Sequence, residues 1–145
     1  MNENLELLEY IYQTADMGTK ALTDLLNDLK DKDNKIKSLV ACHLKEYEKY
    51  LKESEKLIKK HKVNPKEKSL MAEVMSKMGI KKEVLKDNSD SAIASMLMEG
   101  YLMGNTEMEK KISTYTDKAD KDIIKLAKDL KKFGEKAATE VKEYL

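Results

Sequence analysis

LELLEYIYQTADMGTKALTDLLNDL, residues 5–29, decides the fold. Leu5, Leu8, Tyr12, Ala15, Thr19, Leu22, Leu26 and Leu29 follow one another at steps of three and four. That spacing predicts a helix over 3–29 with one apolar seam, the pattern of a helix in a bundle. Such a helix cannot bury its seam alone, and the rest of the chain offers partners. Residues 34–62 carry a second seam: Ile36, Val40, His43, Tyr47, Tyr50, Ser54 and Leu57. The polar break Asp31-Lys32-Asp33 is short, so the second helix is expected antiparallel to the first.

Residues 90–115 read as the third long helix, capped by Asn88 or Ser89. Its stripe is Ile93, Leu97, Gly100 or Tyr101, Gly104, Met108, Ile112 and Tyr115. From Ala92 to Gly104 it is apolar nearly all round, with Glu99 the only charge, which predicts burial on more than one side. Residues 118–145 form the fourth, through Ile123, Ala127, Leu130, Gly134, Ala137, Val141 and Tyr144. Its small residues, with Gly100 and Gly104, predict that the third and fourth helices approach closely.

The connection between the second and third helices is long. Asn64, Pro65 and Glu67 start a short helix over 65–78 that Gly79 stops. Leu70, Met71, Val74, Met75 and Met78 form its apolar face, expected to dock on the third helix. This connection can span the length of a bundle helix. The expected class is therefore all-α: a single four-helix-bundle domain over 1–145, ferritin-like, with a crossover between the second and third helices. The alternative is a plain up-down-up-down bundle with a decorated loop.

Composition narrows the function classes. Hydrophobic residues make up 41% of the 145 and charged residues 38%, and there are only 5 Gly and 1 Pro, so long regular elements are favoured. The formal net charge is +1 and no Arg occurs, which argues against nucleic-acid binding. No run reaches the ~18 apolar residues of a membrane span. Met1 to Leu8 has no basic region before an apolar run, and the lone Cys42 cannot make an internal disulfide. The expected location is cytoplasmic.

The stretches LELLEYIYQTADMG (5–18), LKEYEKYLKESEKLIKK (44–60) and MLMEGYLMGNTEMEKKI (96–112) resemble a small family of uncharacterised ferritin-like four-helix proteins from low-GC bacteria. The resemblance implies the fold. It carries no established chemistry with it.

A ferritin-type di-iron centre needs inward Glu residues and Glu-x-x-His motifs. The positions three before His43 and His61 hold Val40 and Ile58. Mid-seam positions hold Ala15 and Thr19 on the first helix, Leu130 and Gly134 on the fourth. The usual ligands are missing. What remains is His43, Glu46 and Glu99, a set that can hold a single divalent metal ion if the three converge, or can form a hydrogen-bond network. Tyr12, Tyr47, Tyr50, Tyr101 and Tyr115 fall on or near seams and read as core-edge packing. The 9 Met residues read as adaptable packing rather than a copper set. The expectation is a non-enzymatic structural or interaction protein with no cofactor, and a homodimer through the crossover and third helix. The alternative is a metal-binding or redox stress protein.

Overall fold

Each of the four long apolar seams is realised as a helix. The structure is a computed structural model and describes residues 3–63 and 88–145. The helices are α1 (Glu3–Asp28), α2 (Lys37–His61), α3 (Asp90–Tyr115) and α4 (Lys121–Lys142). No strand occurs among the described residues. The expected helix over 65–78, with its Met face, lies outside the described residues.

The third helix begins where its cap predicts. Ser89 Oγ accepts from the Ala92 N–H at 3.2 Å. The second helix starts differently, because Ile36 at its N-cap has no side-chain bond to offer. The Asp90 carboxylate serves instead, accepting from the backbone N–H of Lys35 at 3.1 Å and of Ile36 at 3.4 Å. Asn34 Nδ2 donates to the same carboxylate at 2.9 Å and to the Asn88 carbonyl at 2.7 Å. One carboxylate at the start of α3 therefore satisfies the start of α2, where partial positive charge collects.

At the other end, α2 closes with a Schellman motif. Lys62 adopts the left-handed region at φ 53°, Val63 N–H donates to the Ile58 carbonyl, and Lys62 N–H donates to that of Lys59. Val63 is buried beyond the turn.

α1 packs along α2, and α3 along α4. α2 also meets α4, while α1 touches both α3 and α4. The backbones of α2 and α3 stay apart and form the wide diagonal. α4 touches all three others, and its buried face is correspondingly broad: Ile123, Ile124, Ala127, Leu130, Phe133, Ala137 and Val141.

Two expectations about seams need correction. On α1 the buried line is Leu8, Ile11, Ala15, Gly18, Leu22, Leu25 and Leu29, whereas Leu5, Tyr12, Thr19 and Leu26 sit at its margin. Both lines share every seventh residue. They differ in which neighbour of it turns inward, and Gly18 carried no apolar weight in the pattern. On α3, burial on more than one side does not hold among the described residues. Leu102 is 53% and Met103 36% exposed, and Glu99 faces solvent.

The close approach of α3 and α4 rests on Gly134, one of the small residues of the fourth seam, and not on Gly104. A Cβ on Gly134 would strike the Asn105 side-chain amide, whereas one on Gly104 would meet nothing. Gly18 of α1 is tighter in kind. A Cβ there would lie 2.7 Å from three carbons of the Tyr47 ring, which packs flat on the glycine.

Gly18→Ala tests this. Alanine favours a helix over glycine by about 1 kcal/mol, but overpacking the Tyr47 ring costs about 1–3 kcal/mol. Urea unfolding should show net destabilisation for Gly18→Ala and little change for Gly134→Ala, where an amide can rotate away.

Candidate functional site

The wide diagonal between α2 and α3 holds His43, a buried polar residue set among aromatic rings. His43, Tyr47 and Tyr50 of α2 meet Tyr101 of α3 and Phe133 of α4 there. The His43 ring lies edge-on to Tyr101 and to Phe133, with centroids 5.4 and 5.6 Å away. Tyr47 stacks on Tyr101 at 6.4 Å and 17°. Edge-to-face and offset contacts of this kind suit aromatic quadrupoles. Tyr50 donates its hydroxyl to the Asp129 carbonyl at 3.1 Å.

His43 is 2% exposed and both its nitrogens are engaged. Nδ1 lies 2.7 Å from the Tyr101 hydroxyl and Nε2 lies 3.1 Å from Glu140 Oε1. An ionised carboxylate only accepts, so Nε2 carries the proton and donates to Glu140. Nδ1 is then the acceptor for Tyr101 O–H. The chain of donors runs Tyr101 to His43 to Glu140, ending at a side chain that is 37% exposed. Burial pushes the His43 pKa below 6.5, outweighing the opposing hydrogen bond and charge of Glu140, while Lys136 lowers it further. Burial also raises the phenols of Tyr101 and Tyr47. The neutral imidazole and neutral phenols are the forms this site holds.

The expected set His43, Glu46 and Glu99 is thus not assembled. His43 sits in the core as its seam position implies. Glu46 is half-buried and acts on His43 only through its charge. Glu99 is exposed on α3. The three do not form a group with converging ligand atoms. Glu140 takes the role instead. The sequence hides it because Glu140 lies beside the α4 seam, between Ala137 and Val141, and is reached only once α2 and α4 pair.

A second polar group closes the far end of the bundle. His61, in the last turn of α2, meets Asp120 and Asp122 at the start of α4. Nδ1 lies 3.3 Å from Asp120 Oδ2. Nε2 lies 3.2 and 3.1 Å from the two oxygens of Asp122. Lys60 Nζ reaches Asp122 Oδ2 at 2.7 Å. Burial would raise the Asp122 carboxyl, but hydrogen bonds from Lys60 and His61 outweigh it and hold the carboxyl below its usual range. The ends of the remaining helices lie alongside. Asn4 Oδ1 of α1 accepts from the Asp120 N–H at 2.7 Å, and Tyr115 of α3 donates to Glu6 of α1. The hydrogen bond to Glu6, with partial burial, lifts the Tyr115 phenol to about 12. Among the described residues, His61, Asp120 and Asp122 are the only group of three whose ligand atoms converge.

Cys42 is exposed and its neighbour His43 points inward, so the two make no catalytic pair. No helix among the described residues is long and apolar enough to cross a membrane. No family model, curated protein or solved structure matches the chain.

The buried imidazole makes stability depend on pH. The unfolded His43 titrates near 6.5, above its folded value, so below about pH 6.5 the unfolded chain binds the extra proton first. Stability should fall as pH drops through that point, until the folded group also protonates. Urea midpoints measured from about pH 8 to about pH 5 should decline in the wild type, and the decline should be shallower in His43→Gln.

Proposed function

We propose that this chain is a non-enzymatic four-helix bundle of ferritin-like topology with a structural or protein-interaction role. The observation that carries the reading is the state of His43. A buried imidazole whose two nitrogens are bound to Tyr101 and Glu140 has no lone pair for a metal and no face open to a substrate. Around it the seams are filled by Ala15, Leu130 and Phe133 rather than carboxylates. A single divalent ion shared by His43, Glu46 and Glu99 gains no support from their placement.

The ferritin-like topology is supported by which ends meet. Asn34 at the start of α2 bonds to Asp90 at the start of α3, and His43 meets Tyr101 further along. His61, at the end of α2, instead bonds to Asp122 at the start of α4. Parallel α2 and α3 follow from this pattern. The connection between them, expected to cross the bundle, lies outside the described residues. The resemblance to ferritin-like bacterial proteins belongs to the same proposal.

The reading also takes the protein as cytoplasmic, indifferent to nucleic acid and homodimeric. The absence of Arg and the formal net charge of +1 support the second point. Leu102 and Met103 on the outer face of α3 support the third, because exposed apolar residues on one helix suit an isologous contact with a second copy.

Two measurements test the proposal. Oxidation of ferrous iron, followed by absorbance, should run no faster with the protein than in buffer, and a saturable acceleration would sink the non-enzymatic reading. Light scattering should give the mass of a dimer for the wild type and of a monomer for Leu102→Glu. A wild type that stays monomeric at every concentration removes the dimer.

A further inference from the structure

At the end of the bundle where α2 meets α4, the geometry points to a binding site for one divalent cation of the zinc class, held by His61, Asp120 and Asp122. This goes beyond the proposed role and does not depend on it, because the site lies outside the core that His43 closes.

Three observations build the case. First, the donors converge: one imidazole nitrogen and one oxygen from each aspartate lie within 4.8 Å of one another. Ligand atoms around a tetrahedral zinc, bonded at about 2.0–2.2 Å, stand roughly 3.3 Å apart. The separations are 3.3 Å from Nδ1 to Asp120 Oδ2 and 3.1 Å from Nε2 to Asp122 Oδ2, so the aspartates approach different ring nitrogens and one of them must swing to share an ion with the other. Second, the donors are of mixed type. Imidazole suits zinc and its neighbours, and two carboxylates supply the charge that balances a divalent ion. Third, the donors come from two helices and are held before any ion arrives. The Schellman turn at Lys62 fixes the last turn of α2, and the Asn4 side chain holds the backbone of Asp120.

Local electrostatics permit the ion. The start of α4 is a positive dipole end and disfavours a cation, but the end of α2 is a negative one and lies beside it. Lys60 is the resident competitor, through its 2.7 Å contact with Asp122. Its side chain is 65% exposed, and an exposed ion pair of that kind holds weakly. A divalent ion can displace it, and the lysine returns to solvent. The proton is the other competitor, since an imidazolium between the two aspartates satisfies the same oxygens. Metal and proton then exclude one another at Nε2.

The test is calorimetric titration of the full chain with zinc ions alone near pH 7.5, repeated near pH 5.5, with melting curves at each. The expected result is saturable binding of one zinc per chain at the higher pH, a raised melting temperature reversed by chelator, and weaker binding at the lower pH. His61→Ala and Asp122→Asn should each lose the binding and the thermal shift. Lys60→Met should bind zinc at least as tightly as the wild type. The chain has only 2 His, and His43 is fully engaged, so zinc retained by His61→Ala comes from surface carboxylates or the exposed Cys42 thiol and overturns the site. No saturable binding in the wild type overturns it as well. If His61→Ala does not fold, Asp122→Asn decides, and unchanged affinity there is equally fatal.

Discussion

The structure turns on a separation. α2 and α3 never bring their backbones together, and something must fill the space between them. Aliphatic side chains of ordinary length do not span it, so the chain uses rings: His43, Tyr47, Tyr50, Tyr101 and Phe133. Rings bring polar atoms with them, and a polar atom buried without a partner costs about 1–3 kcal/mol. Each therefore has to be answered. Tyr101 answers one nitrogen of His43, Glu140 the other, and the Asp129 carbonyl answers Tyr50. These bonds draw on three helices, so the filling also sets how α2, α3 and α4 register. Even Gly18 on α1 follows from it, because the Tyr47 ring needs a helix surface without a side chain.

The ends are governed by a different constraint. Four helices leave many unpaired N–H and C=O groups, and a chain of short-range caps would satisfy them one helix at a time. Here the caps are partly shared between helices. Asp90 belongs to α3 and serves the start of α2. Asn4 belongs to α1 and binds the N-cap residue of α4. Tyr115 of α3 binds Glu6 of α1. Sharing fixes the ends as well as satisfying them, which matters for a chain with little Gly or Pro to punctuate its turns.

Much of this was legible in the sequence, and the failures have a common cause. The span 90–115 emerges unchanged as α3, because a serine cap and a polar exit bracket it. The α2 seam is also right in its central part: Val40, His43, Tyr50 and Ser54 are all buried. These are properties of one helix. The errors lie where two helices must be known together. Choosing Ile11 over Tyr12 on α1 depends on how many neighbours the helix has. The partner of His43 depends on α4 lying beside α2, and no pattern within residues 118–145 marks Glu140 as its match. Glu99 drew attention as a lone charge among apolar residues, but composition does not say whether a helix face is covered, and among the described residues that face of α3 lies open. Nothing in the sequence singles out Asp120 and Asp122. Only the end of α2 beside them gives them a third member.

The two histidines show how a shared chemistry is put to opposite ends. Both are flanked by carboxylates and both lie on α2, separated by five turns of helix. His43 is enclosed, and burial penalises its charged form by more than Glu140 favours it. His61 is half-covered at a helix end, with two carboxylates and a lysine within reach of water. A buried imidazole with one donor and one acceptor is closed to further ligands, because both its lone pair and its proton are spent. An imidazole facing two acceptors is not closed, since only one of its nitrogens can hold a proton while the ring stays neutral. The other must then face a carboxylate with a lone pair, which is unfavourable unless a cation comes between. The cation site proposed at His61 uses that open side, whereas His43 offers none.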